Sequence, residues 1–172
     1  MSRLFPHPPY AEDQPLSTSI LTTHVLTRGI QVGSLAGTFA GTSLLALRHF
    51  SVLSRPKLRS SARTTLLRST GVGALTGFAL LAIGLRIQMY GKEDIEWKDR
   101  SWRLLENKGQ LECDDWTYPA MLAGGLAAMT RARVWGWRGV LGGVGAGSLL
   151  GMAGSIGWRH GVKGGKWEED VV

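Results

Sequence analysis

The sequence predicts an all-α membrane protein with about four glycine-rich transmembrane helices. Three observations carry that reading. Long uncharged apolar stretches alternate with heavily charged ones, although the mean hydropathy is close to zero. The 24 glycines among 172 residues exceed the usual frequency of roughly 7% and sit mostly inside the apolar stretches. All 13 acidic residues lie outside those stretches. The predicted organisation is a proline-containing tail over 1–16, a four-helix transmembrane domain over 17–158 and a charged tail over 159–172.

The first span is expected over 29–47, which carries no charge and rises about 28 Å as a helix, close to the hydrocarbon thickness. Ser17 or Ser19 suits its cap, His24 and Arg28 lead in at the interface, and Arg48 and His49 close it. The second is expected over 70–90. Arg86 lies in its last turns, where a long cationic side chain can reach the headgroups. The third, 118–137, is apolar only to Thr130, and Arg131 and Arg133 follow. It reads as a short or tilted span, with a re-entrant helix as the alternative. The fourth, 139–157, is uncharged and closed by Trp158, Arg159 and His160. Between the second and third, 91–116 reads as a polar loop. Ile95, Trp102 and Leu105 suit one face of a surface helix there, but Trp97 and Leu104 fall on the opposite side. Six tryptophans (Trp97, Trp102, Trp116, Trp135, Trp137 and Trp158) cluster near span ends, as an aromatic belt does.

Gly29, Gly33, Gly37 and Gly41 are spaced by four, as are Gly139, Gly143, Gly147 and Gly151. Gly73 and Gly77 form a shorter row, and Gly124 belongs to a weaker one between Ala120 and Ala128. Residues four apart share a helix face, so each row strips side chains from a groove and lets another backbone approach. In water such a row disfavours a helix by roughly 1 kcal/mol per glycine. In hydrocarbon an unpaired backbone group costs more than that, so the helix holds and the row becomes packing surface.

Charge is segregated along the chain. The segments after the first and third spans carry Arg55, Lys57, Arg59, Arg63 and Arg68, and Arg131, Arg133 and Arg138, without a single acid. The positive-inside rule then places both termini and the acidic 91–116 segment on the opposite side. Anionic membrane lipids or other membrane-protein subunits are the expected partners of the cationic loops. Nucleic acid is not expected, because the first loop offers no stacking platform beyond Phe50.

No catalytic, cofactor or metal signature is found. Gly71, Gly73 and Gly77 miss the dinucleotide spacing, and the four histidines are scattered. Cys113 is the sole cysteine, which rules out an intrachain disulfide. Every carboxylate falls in a segment read as aqueous, so no buried acid is expected.

Four short glycine-striped spans with cationic segments after the first and third resemble the Tim17/Tim22/Tim23 superfamily. The resemblance covers roughly 29–157 and rests on Gly29, Gly33, Gly37, Gly41, Gly73, Gly77, Gly143 and Gly147. That group includes mitochondrial protein-import translocases and the B14.7-type accessory subunit of respiratory complex I. The resemblance implies a Tim17-like fold in the mitochondrial inner membrane, internal targeting and termini facing the intermembrane space. Its Arg-to-Asp signature is not matched, since Leu67 follows Arg63 by four and Val72 follows Arg68 by four. The expected role is therefore a non-catalytic structural or assembly subunit of an inner-membrane complex, complex I-like, with an import or solute-channel component as the alternative.

Overall fold

Hydrocarbon offers no partner for a bare N–H or C=O, so apolar stretches of this length must satisfy their backbone internally. The computed structural model, which describes residues 5–50 and 61–165, folds them as helices throughout. They are α1 (Ser17–His49), α2 (Ala62–Gln88), α3 (Asp94–Glu106), α4 (Lys108–Met129) and α5 (Ala132–Gly157). A 3₁₀ turn, Ala11–Asp13, precedes α1, and one π turn, Trp158–Val162, continues α5. Among the described residues, three helical stretches are long and apolar enough to cross a membrane: Ser17–His49, Ala62–Gln88 and Ala132–Val162.

The four long helices alternate in direction. α1 runs antiparallel to α2, and α4 antiparallel to α5, each pair closed by glycine. A Cβ added at Gly29 would meet the Gly77 carbonyl oxygen at 2.7 Å, and one at Gly33 would meet Gly77 Cα at 2.9 Å. At Gly37 it would lie 3.0 Å from Ser69 C. Between α4 and α5, Gly124 faces Gly143, Gly147 faces Ala120, and Gly151 faces Thr117. These contacts are to backbone atoms, so the stripes are sites of helix-on-helix approach. Thr38 and Thr70 add a 2.8 Å hydrogen bond across α1 and α2.

The two pairs join through α5. Gly142 sits against Leu67 of α2, Gly71 against Arg138 and Gly142, and Gly145 against Ser34 of α1. α5 thus shows glycine to three neighbours. Gly139 behaves differently from its predicted role: an added Cβ there would strike the Trp135 side chain one turn away in α5 itself.

The predicted third span is corrected. A single helix does not run over 118–137; α4 ends at Met129 and α5 starts at Ala132. Trp135 and Trp137 belong to α5, which bends at Gly136 (φ 67°, ψ 179°). That conformation suits glycine, and it releases carbonyls from the helical ladder. Arg68 of α2 takes two of them, its Nε donating to Trp135 O at 3.0 Å and its Nη2 to Val134 O at 3.3 Å. The apolar part of α4, 116–129, rises only about 21 Å, short of the roughly 30 Å hydrocarbon core.

Other boundaries shift as well. α2 begins eight residues before the predicted span, capped by the Ser61 hydroxyl, which accepts from Thr64 N at 3.2 Å. α1 does begin at Ser17, but its cap is Leu16 in the left-handed region, with no side-chain bond. The 91–116 segment is not a loop: it forms α3 and the first turns of α4. Leu105 and Ser101 are the buried face of α3. The N-terminal tail lies on it, with His7 stacked on Trp102 and Trp102 Nε1 donating to Pro8 O at 3.0 Å.

The outer faces of the long helices carry exposed Val32, Leu35, Phe39, Leu80, Ile83, Leu122, Leu126 and Leu150. Such a belt is consistent with hydrocarbon around it. The chain is expected to stay with the bilayer fraction after alkaline extraction; its appearance in the soluble fraction would remove the membrane reading.

Candidate functional site

α1 and α4, like α2 and α4, are not closely packed: among the described residues no Cα of one comes within 8 Å of the other. Side chains fill the gap instead. On α1, His24, Thr27, Arg28 and Gln31 are spaced by three and four, so they share one face. On α4, Gln110, Cys113, Asp114, Thr117 and Tyr118 do the same. The two polar faces meet at the end of the bundle that holds α3.

Asp114 is the centre, with its side chain 1% exposed. Its Oδ1 accepts from Arg28 Nη2 at 2.7 Å, and its Oδ2 lies 3.3 Å from His24 Nδ1. Arg28 also donates to Gln110 Oε1 at 2.7 Å and Gln31 Oε1 at 2.5 Å. Its Nη1 lies 3.5 Å from Cys113 Sγ. Gln31 Nε2 passes the network to Thr117 Oγ1 at 3.1 Å, and Thr27 Oγ1 lies 3.3 Å from the Tyr118 hydroxyl. Within this cluster only Arg28 Nε is buried without a partner.

The expectation that no acid is buried is therefore overturned, and His24 is buried rather than interfacial. The reason is tertiary. Asp114 is held by His24 and Arg28, 90 and 86 positions away in sequence, and the charged neighbours Glu112 and Asp115 make the segment look aqueous. The readable signal was the matching three- and four-residue spacing of polar residues on two helices.

Arg28 Nε apart, the cluster satisfies its own polar groups. Both Asp114 oxygens are engaged and the guanidinium is spread over three acceptors and a sulfur, which locks α1 to α4. A hollow of about 360 Å³ lies beside it, lined by Arg28, Gln31, Gln110, Cys113 and Met152 among others. One helical step away, Arg159 pairs with Glu112, and Trp116 and Trp158 rings lie 6.1 Å apart. Among the described residues, no group of three or more His, Cys, Asp or Glu side chains is placed to hold a metal ion.

The predicted cationic residues gather at the opposite end. Arg68 and Arg138, joined by Arg48, line one groove between α1 and α2. Arg63, Arg131 and Arg133 are exposed, whereas Arg55, Lys57 and Arg59 lie outside the described residues.

A family profile described as a protein of unknown function (DUF1757) matches residues 13–154. The chain belongs to the DUF1757 family. No curated protein matches it. The DUF1757 match takes in both glycine rows, the α1–α4 cluster and all three arginines of the groove, and it stops before the π turn.

Proposed function

We propose that the chain is a non-catalytic structural or assembly subunit of a membrane-embedded complex, placed in the mitochondrial inner membrane and complex I-like in its surroundings. One observation carries the structural role: Asp114, the only buried carboxylate among the described residues, engages both of its oxygens in joining α1 to α4. A transport path needs ionisable groups facing a cavity with capacity to spare, and a catalyst needs a group held ready for a substrate. The glycine-closed interior and the apolar outer belt support the same reading, since they leave side chains outward for lipid and partner helices. The location and the Tim17-like fold, with α4 as a short fourth span, rest on the resemblance of the glycine-striped segments and on the charge pattern.

The 360 Å³ hollow beside Arg28 favours a second reading, in which the α1–α4 seam admits a solute or a translocating segment. Native electrophoresis of detergent-solubilised membranes separates the two. A subunit is expected to migrate with a much larger assembly that weakens when the chain is deleted. Migration near the monomer, together with conductance or import by the reconstituted chain alone, supports the channel and defeats the scaffold.

A further inference from the structure

The groove between α1 and α2 holds about 780 Å³ and is lined from Gly29 to Arg48 along α1. That stretch rises about 28 Å, and its half nearest Arg48 matches one leaflet of the roughly 30 Å hydrocarbon core. Its walls are small or aliphatic: Ala36, Ala40, Leu44, Val72 and Leu80. The hydroxyls within it are spent on their own helix, Ser69 donating to Thr65 O and Leu66 O and Thr76 to Val72 O. Along its length the groove is therefore mostly apolar, with the Ser69 and Thr76 hydroxyl donors already used.

At one end the chemistry changes. Arg48, Arg68 and Arg138, from three different helices, line the same groove and meet no carboxylate among the described residues. Among the described residues Arg48 hydrogen-bonds to the Thr65 hydroxyl at 3.4 Å, Arg138 lies 5.3 Å from the Trp137 ring, and Arg68 holds the carbonyls beside Gly136. An occupant must be apolar along the shaft and anionic at this end only. We infer that the α1–α2 groove seats one anionic glycerophospholipid, one of its two acyl chains along Ala36 and Ala40 and its phosphate at Arg48 and Arg138. A partner helix would need a row of apolar knobs and an acid at one terminus. The lipid needs nothing beyond its ordinary build, and guanidinium recognises phosphate oxygens in pairs. The inference rests on the membrane-spanning reading alone; it is independent of which complex holds the chain.

The test uses the purified full chain, delipidated in detergent and offered phosphatidylglycerol or phosphatidylcholine with identical acyl chains. Native mass spectrometry reads the retained lipid. Wild type is expected to keep one phosphatidylglycerol and to favour it over phosphatidylcholine by roughly 10-fold or more. R48Q/R138Q, which leaves the structural Arg68 intact, should bring retention down to the phosphatidylcholine level. A40F, an exposed position that fills the shaft, should lose the lipid with all three arginines present. Circular dichroism and thermal midpoint confirm that each variant is folded. Equal retention of the two lipids overturns the inference, and so does undiminished phosphatidylglycerol binding by either folded variant. A photoreactive residue at position 40 that cross-links a polypeptide rather than a lipid in native membranes also overturns it, in favour of a partner helix. Because the binding assay needs only the isolated chain, failure of the scaffold reading on native gels would leave its outcome unaffected.

Discussion

Asp114→Leu is expected to destabilise the bundle by about 3–5 kcal/mol, the largest loss for any single polar side chain here. The physical reason is the charge left behind. Arg28 keeps its guanidinium in a largely buried site, with its side chain 21% exposed, and His24 loses its acceptor as well. Asp114→Asn keeps the shape and one acceptor, so a loss of about 1–3 kcal/mol is expected for it. Arg28→Met combined with Asp114→Leu should be milder than Asp114→Leu alone, since no unpaired charge remains. Thermal or denaturant unfolding in a fixed detergent measures all three. If Asp114→Leu unfolds within about 0.5 kcal/mol of wild type, the cluster is no lock, and the structural role drawn from it loses its main support.

Gly37→Leu with Gly147→Leu should break both helix pairs at once. A Cβ at Gly37 would sit 3.0 Å from Ser69 C and Thr70 Cα, and one at Gly147 would sit 2.8 Å from Ala120 C and 3.0 Å from Met121 Cα. Those neighbours are backbone and cannot rotate aside, so the helices must separate. Overpacking of this kind costs roughly 1–3 kcal/mol per site, and the two sites lie in different interfaces and should add. Gly84→Leu is the control, because nothing lies within 4 Å of a Cβ there. It should be neutral or slightly stabilising, given glycine's poor helix propensity. Equal stability of the double variant and Gly84→Leu, read by thermal unfolding and by recovery of assembled protein, would refute the packing assignment.

The glycine rows were readable as packing faces because a four-residue glycine row on an unbroken helix leaves one face bare whatever surrounds it, but that α1 meets α2 and α4 meets α5 was left open until the fold placed them together. Gly71 and Gly142 were not readable as a pair. Each lies off the main rows, and their meeting depends on how far α5 is rotated when it already faces α4. The break between α4 and α5 was hidden for a related reason: Thr130 and Arg131 carry no turn signature, and the sharper kink, at Gly136, falls several residues later inside the segment assigned to α5. Arg68 looked like one more surface cation; its bonds to Val134 and Trp135 carbonyls exist only because α2 lies beside that bend.

Composition and spacing by themselves determined that this is a helical chain with an apolar belt, that glycine rows close its helices, and that cations and acids are kept apart along the chain. These are local properties, set by helix period and by the absence of side chains or charges at stated positions. Tertiary structure alone decided that Asp114 is buried against His24 and Arg28, and that Arg48, Arg68 and Arg138 share one groove. Burial and convergence depend on which distant faces come together, and a carboxylate in a charged stretch looks solvated until the opposing helix encloses it.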